Sequence, residues 1–116
     1  MKPKTIICDI DGVLLIHKNK GLSEQLKSKP LNKTIEKINE WDAKGYNIIL
    51  ITGRRESLRT KTEKQLLTYD IFYDQLIMGV GGGDRVIITD RKPNSDRDTT
   101  YAINLNRNEG VENVEI

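Results

Sequence analysis

Short apolar runs, separated by amphipathic stretches, constrain the fold of this chain more than any other feature. The runs are continuous rather than alternating, which is typical of strands buried in a parallel sheet. The four clearest runs are Thr5–Ile10, Asn47–Ile51, Gln75–Met78 and Arg85–Thr89, and Tyr101–Leu105 is a weaker fifth. This order of strands and helices predicts an α/β fold, a doubly wound, Rossmann-like parallel sheet of about five strands.

Two helices are predicted between the early strands. The first begins after Asn32, a favourable N-cap residue, and continues through Trp41 with an apolar stripe along one side. Gly45 follows where a helix C-terminus favours glycine. The second helix extends from about Glu56 to Tyr69. Both helices would pack their apolar stripes against the sheet.

The composition describes a small soluble domain. With 116 residues, 36% of them hydrophobic and 31% charged, the chain fits one domain over residues 1–116. Cys8 is the one cysteine, so an intrachain disulfide is excluded and a reducing compartment is favoured. No segment resembles a signal peptide or membrane span, so we expect a cytoplasmic protein and no membrane partner. A net charge of +2 is too weak to argue for nucleic acid as a partner.

The first apolar run ends in two aspartates, Asp9 and Asp11, followed by Gly12. Alternate residues of a strand point to the same face, so the two carboxylates leave the sheet close together. Such a pair repels itself unless a cation lies between the groups or one of them holds a proton. Mg²⁺ would resolve the repulsion and bring in phosphate oxygens. The alternative is a solvated strand end with two surface acids.

Two other strands end in polar residues of interest. The run Asn47–Ile51 is followed by Thr52, Gly53 and Arg54, which offer a phosphate group a hydroxyl, open backbone N–H groups and positive charge. The run Arg85–Thr89 is followed by Asp90, a third strand-end carboxylate. Ligands of such folds bind beyond the carboxyl ends of the strands, so these residues are expected to form one site.

The set resembles the haloacid dehalogenase (HAD) superfamily of phosphohydrolases. Asp9-Ile10-Asp11-Gly12-Val13 is similar to its first motif, Thr52 to its second, and Asp90 to its acidic fourth. The resemblance implies that Asp9 is a nucleophile that forms an aspartyl-phosphate, and that Asp11 is the general acid and then the base. It also implies Mg²⁺ on Asp9, on the backbone carbonyl of Asp11, and on Asp90. Thr52 and Gly53 would bind the transferring phosphoryl oxygens.

The family's third motif, a cation beside the phosphate, has two candidates here, Arg85 and Lys92. Arg85 begins the strand that ends at Asp90, and a strand of that length spans about 17–20 Å. Arg85 would then lie at the far edge of the sheet unless the glycine loop folds back. Lys92 follows Asp90 at the edge where the phosphate must lie, so we favour Lys92.

The chain has no room for a cap domain. The polar segment His17–Pro30 predicts a loop or small flap that is too short to cover a site, and the glycine-rich Gly79–Asp84 predicts a flexible connection. A capless HAD-like enzyme acts on large substrates or closes its site by self-association. We therefore expect a homo-oligomer.

The leading interpretation is a Mg²⁺-dependent phosphomonoesterase that acts on a small phosphorylated metabolite such as a sugar phosphate. A polynucleotide-end or nucleotide phosphatase is the alternative enzyme, although no basic stripe studded with aromatic residues supports it. A non-enzymatic phospho-acceptor and a HAD-like binding module are the alternatives from other classes. The Asp-x-Asp-Gly sequence favours an enzyme, because it places an acid two residues from the nucleophile.

Overall fold

The computed structural model describes residues 2–116 and is built around a parallel sheet of three strands. The strands are β1 (Thr5–Asp9), β2 (Asn47–Ile51) and β3 (Gln75–Ile77), in the order β1-β2-β3. Asp9 pairs with Ile51, and Ile51 pairs with Ile77, so the three strands end level with one another. The segments that follow β1 and β2 therefore emerge at the same edge. The prediction of an α/β fold with a parallel sheet is confirmed.

Residues 2–116 also form three α-helices and one short 3₁₀ turn. They are α1 (Leu22–Gln25), α2 (Thr34–Ala43), the 3₁₀ turn Glu56–Leu58, and α3 (Arg59–Thr68). Gly45, with a φ of 77°, follows α2 as predicted. The N-cap position of α2 is Lys33, not Asn32, whose side-chain amide donates to Glu112 instead. In residues 2–116, no helix combines the length and hydropathy needed to cross a membrane.

The core lies on one face of the sheet. Ile38 and Trp41 of α2 and Leu66 of α3 are almost fully buried, and they belong to the same apolar cluster as Ile48 and Leu50 of β2. The opposite face is open, with Ile7 46% and Ile77 44% exposed. The strands therefore alternate between buried and exposed positions. A doubly wound sheet, with helices on both faces, is not formed within residues 2–116.

The expectation of about five strands is wrong, because neither Arg85–Thr89 nor Tyr101–Leu105 forms a strand. Val86 is 83% exposed and Ile88 91% exposed, and β1 is an edge strand of the three-stranded sheet. An apolar run predicts burial, but a strand also needs a neighbour that satisfies its backbone groups. Here no strand within residues 2–116 pairs with Arg85–Thr89, and the Arg85 side chain donates to three carbonyl groups of the preceding glycine loop.

Candidate active site

The two aspartates of the first motif lie where β1 ends. Asp9 is the last residue of β1, and its side chain is 47% exposed. A tight turn follows, in which the N–H groups of Leu14 and Leu15 donate to the carbonyl of Ile10 at 2.9 and 3.0 Å. Gly12 has a φ of +89°, a conformation that other residues rarely adopt. The glycine therefore permits the sharp exit that carries Asp11 past the end of the strand.

The carboxylate of Asp11 is held from two sides. Arg54 donates from Nε to Oδ2 at 3.0 Å and from Nη2 to Oδ1 at 2.8 Å, a bidentate ion pair. The side-chain amide of Gln25 donates to Oδ1 at 2.7 Å. The Asp11 side chain is 18% exposed and that of Arg54 only 4%. Charged hydrogen bonds of this kind are stronger than neutral ones, so Asp11 is fixed in one orientation.

The guanidinium of Arg54 is almost fully occupied within the protein. Besides its two bonds to Asp11, Nη1 donates to Thr62 at 3.1 Å and to Gln65 at 2.8 Å. An arginine has five N–H groups, and these contacts use four of them. The structure therefore places Arg54 as the partner of Asp11. Its predicted contact with phosphate stays a prediction, and at most one N–H remains for it.

Thr52 and Gly53 lie at the same edge as the aspartates, directly after β2. The Thr52 N–H donates to Ile77 at 3.0 Å, and the Thr52 side-chain oxygen accepts the Arg54 backbone N–H at 3.1 Å. Thr52 is 5% exposed, while Gly53 is exposed. Within residues 2–116, no acceptor is bonded to the Gly53 N–H. This exposed backbone N–H is a free donor of the kind that binds phosphoryl oxygens.

Arg85, rather than Lys92, lies beside the first aspartate. Its Nη2 is 3.6 Å from Oδ1 of Asp9, while Nη1 donates to the carbonyls of Val80, Gly81 and Gly83 at 3.2, 2.9 and 2.8 Å. The expectation that Arg85 lies at the far edge of the sheet is wrong. It assumed a strand from residue 85, whereas the glycine loop folds back and presents the side chain to Asp9.

Asp90 and Lys92 lie apart from the aspartate pair. The Asp90 side chain is 82% exposed, and Lys92 Nζ is 4.0 Å from its Oδ1. No three His, Cys, Asp or Glu side chains in residues 2–116 are grouped so that they could hold a metal ion. Asp90 therefore does not join Asp9 and Asp11, and the expected metal set is incomplete. The reason is the missing fourth strand, which would have delivered Asp90 to the carboxyl edge.

The oxygen atoms of Asp9 and Asp11 at the end of β1 still suit a magnesium ion. Asp11 and Leu15 form an isolated β-bridge, whose two hydrogen bonds join Leu15 to the Gly12 N–H and the Ile10 carbonyl. The Asp11 carbonyl takes no part in this bridge. No group in residues 2–116 donates to that carbonyl, and the Asp9 carboxylate is half exposed. Mg²⁺ binds hard oxygen atoms and is commonly held by one or two protein groups, water and phosphate. The Asp9 carboxylate and the Asp11 carbonyl fit this pattern.

Cys8, in the first apolar run, is a buried core thiol. Burial, and then the negative charge of Asp9, raise the pKa of Cys8 to about 12. Its Sγ donates to the Asp9 carbonyl at 3.3 Å. A thiol in this environment is protonated at neutral pH, and a protonated thiol is not a nucleophile. The chemistry at the end of β1 therefore belongs to the carboxylates.

Sequence reasoning missed three polar residues that build the site: Gln25, Thr62 and Gln65. Each is less than a tenth exposed. Gln65 lies on the buried side of α3, and Gln25 lies in the segment His17–Pro30, which was predicted as a polar flap. A glutamine on a stripe that faces the core is the signal that could have found Gln65, because a buried amide needs partners. Nothing in the local sequence distinguishes Gln25 from its less buried neighbours.

Two solved structures share both fold and sequence with this chain. One is described as the structure of a Pnkp1/Rnl/Hen1 complex, with 32% identity over 66% of this chain and a TM-score of 0.58. The other is described as the Pnkp1/Rnl/Hen1 RNA repair complex, with 28% identity over 82% of this chain and a TM-score of 0.58. This chain spans 28% of the length of each matched chain.

A more distant structure agrees in fold alone. It is the D,D-heptose 1,7-bisphosphate phosphatase of B. bronchiseptica in complex with magnesium and phosphate, with 18% identity, 70% of this chain and 52% of that chain covered, and a TM-score of 0.50. No curated protein matches the chain. The family described as the polynucleotide kinase PNKP phosphatase domain matches residues 3–99. The chain therefore belongs to this family of HAD phosphatase domains, which confirms the predicted HAD superfamily phosphohydrolase.

Proposed function

We propose that this domain removes terminal phosphate groups from polynucleotide ends. The observation that carries the proposal is the family match over residues 3–99. The matched family is described as the phosphatase domain of the polynucleotide kinase PNKP. The two most similar structures reported above support it, because one of them is described as an RNA repair complex. The substrate class thus moves from the small metabolite favoured by the sequence to the polynucleotide end that was the alternative.

The open geometry of the site suits a large substrate. The Asp9 side chain is 47% exposed, and the short helix α1 does not cover it. Two surface depressions, of about 480 and 810 Å³, share Arg85 as a lining residue, and the larger one is also lined by Arg91 and Tyr101. A strand end could lie along this surface with its terminal phosphate at Asp9. The weak net charge of the chain does not oppose this, since an end offers only a few phosphates.

The residues of the site divide the reaction between them. A carboxylate oxygen of Asp9 attacks phosphorus, and the bond from phosphorus to the polynucleotide oxygen breaks. Asp11 gives a proton to that oxygen, and later takes one from the water that releases phosphate from Asp9. The Thr52 hydroxyl, the Gly53 N–H and the Arg85 guanidinium would bind the phosphoryl oxygens. Positioning and charge stabilisation carry most of such a transfer.

We also propose Mg²⁺ as the cofactor, held by the Asp9 carboxylate and the Asp11 carbonyl. When bound, it would neutralise charge between an anionic nucleophile and an anionic phosphate. Asp90 is exposed in this structure, so its predicted part in metal binding requires the segment around residue 90 to move. The contribution of Asp90 is therefore a separate prediction from that of Asp9 and Asp11.

The test compares the hydrolysis of phosphate monoesters on three classes of substrate. Hydrolysis is measured on DNA and RNA oligonucleotides with a 3′- or 5′-phosphate, on the matching mononucleotides, and on a sugar phosphate. We expect kcat/KM to be highest for one oligonucleotide end, and Asp9→Asn to abolish turnover while the exposed-loop control Asp96→Asn does not. A higher kcat/KM for the sugar phosphate would support the small-metabolite reading. If no ester is hydrolysed, the proposed activity is contradicted, and the alternative of a non-enzymatic binding module is favoured.

A further inference from the structure

The polar flap, His17–Pro30, contacts the candidate active site through one side chain. Gln25 is the last residue of α1, is 8% exposed, and donates from Nε2 to Asp11 Oδ1 at 2.7 Å. We infer that Gln25 is a positioning residue, which fixes the carboxylate of Asp11 so that Oδ2 is the oxygen that handles the proton. This inference rests on the proposed phosphomonoesterase activity and adds to it the residue that orients its acid and base.

The lone pairs of Asp11 determine which oxygen is available. Each carboxylate oxygen has about two acceptor directions. Oδ1 accepts one hydrogen bond from Arg54 Nη2 and one from Gln25 Nε2, so both of its directions are filled. Oδ2 accepts only from Arg54 Nε at 3.0 Å, so one direction stays open. Without Gln25, the two oxygens would be equivalent in their contacts, and the carboxylate could pivot on Arg54.

Gln25 is itself locked on every polar atom. Its Oε1 accepts the Lys18 N–H at 2.8 Å, and its Nε2 also donates to the Ile16 carbonyl at 2.9 Å. The Gln25 carbonyl accepts from Gln65 Nε2 at 3.0 Å, and Gln65 Oε1 accepts from Arg54. A closed ring of contacts thus joins Asp11, Gln25, Gln65 and Arg54. Such a ring leaves little rotamer freedom to the carboxylate.

The contact with Asp11 is not needed to hold the flap in place. The Ser28 hydroxyl also donates to the Ile16 carbonyl, and the Gln65 side chain also donates to the Ser28 carbonyl at 3.0 Å. Main-chain bonds of the flap, such as Ile16 N–H to Lys29 at 2.9 Å, are independent of the Gln25 side chain. The Gln25 amide adds two bonds to the main chain of Lys18 and Ile16, and its bond to Asp11 is its contact with the site. The segment His17–Pro30 therefore acts on the site as a support for the acid, not as a cover over the substrate.

The kinetic test uses the dependence on the leaving group. Gln25→Met keeps the length of the side chain and removes its amide, and single-turnover phosphorylation is measured with glycerol 2-phosphate and 4-nitrophenyl phosphate. The alkyl ester needs a proton on its leaving oxygen and the aryl ester does not. Proton transfer contributes about 10²–10⁴-fold to rate, so we expect Gln25→Met to slow the alkyl ester about 10-fold and the aryl ester less than about 3-fold.

Ser28→Ala is the matched control, because Ser28 is fully buried in the same flap and its side chain bonds to Ile16, not to Asp11. We expect it to leave the ratio of the two rates unchanged. Equal losses on both esters in Gln25→Met, no loss on either, or the same ratio change in Ser28→Ala would overturn the inference. If the wild-type protein hydrolyses neither these two esters nor an oligonucleotide phosphate, the proposed function fails instead, and an independent measurement is needed.

That measurement is the side-chain amide resonance of Gln25 in a ¹H–¹⁵N spectrum of the protein without substrate. Asp11→Asn removes the charged acceptor, so we expect the Gln25 amide resonance to shift clearly. Asp9→Asn changes the neighbouring carboxylate, which Gln25 does not contact, and should shift it far less. An unmoved Gln25 resonance in Asp11→Asn would overturn the contact whether or not the enzyme is active.

Discussion

The ion pair between Arg54 and Asp11 should contribute measurably to the stability of the fold. The exposed pair of Arg91 and Asp98 offers a matched control, since its shortest contact is also 2.8 Å. The difference is burial: 4% and 18% of the side chains are exposed in the first pair, and 62% and 73% in the second. A comparison of the two therefore isolates the effect of the surroundings on one interaction.

The magnitude follows from the dielectric around each pair. Two unit charges at this separation attract each other by about 6 kcal/mol at an effective dielectric of 20, and by about 1.5 kcal/mol in bulk water. Desolvation and lost side-chain freedom reduce both figures, and exposed pairs retain about 0–1 kcal/mol. Removal of Arg54 alone also leaves Thr62 and Gln65 without a donor. We expect Arg54→Met to cost about 3–5 kcal/mol of unfolding free energy.

Urea unfolding of a double-mutant cycle gives the coupling directly. The cycle comprises Arg54→Met, Asp11→Asn and the double variant, and the control cycle comprises Arg91→Met, Asp98→Asn and their double variant. We expect a coupling of about 2–3 kcal/mol for the buried pair and below about 1 kcal/mol for the exposed pair. Equal couplings in the two cycles would refute the argument from burial. Arg54→Lys provides a second measurement if Arg54→Met does not fold.

Three further predictions concern the metal, the phosphate cation and the buried thiol. Hydrolysis should fall to background in excess EDTA and return with excess Mg²⁺, and full activity in EDTA would contradict the metal assignment. Arg85→Ala should lower kcat/KM on the order of 10²-fold while Lys92→Ala stays near wild type, and the reverse result would restore the original preference for Lys92. The pKa of Cys8 is raised from 9.0 to about 12, so the folded state holds the thiol proton more tightly than the unfolded chain. The stabilisation from this thiol is complete below pH 9 and is lost towards pH 12, by about 1.4 kcal/mol per pH unit. It is measured as the unfolding free energy of the wild type minus that of Cys8→Ala.

The sequence predicted the three paired strands and the residues that follow them. The observed bounds of β1, β2 and β3 differ from the apolar runs by at most one residue, because each run forms backbone bonds to a neighbour and has one buried face. Asp9, Asp11 and Thr52 meet at one edge for the same reason. Parallel strands that end in register bring their following residues together.

The sequence could not predict where the chain turns after β3. Arg85–Thr89 has the composition of a strand, yet Val86 and Ile88 are exposed and Asp90 is kept from the site. The deciding contacts are those of one guanidinium with loop carbonyls, and no pattern of apolar residues encodes them. The partners of Asp11 were missed for a similar reason. Gln25 and Arg54 are 29 residues apart, and only the folded chain shows that they converge on one carboxylate.

The two carboxylates at the end of β1 are neutralised in different ways, and the difference explains their proposed roles. Asp11 is gripped by buried donors at 2.7–3.0 Å, so it can turn very little. Asp9 has one arginine at 3.6 Å and is half exposed. A nucleophile must be free to reach phosphorus, whereas an acid and base must wait at a fixed place beside the leaving oxygen. Arg85 is farther from its carboxylate than Arg54 is, and it is more exposed. A phosphate that binds Arg85 can therefore replace Asp9 as its partner and free the Asp9 carboxylate for attack.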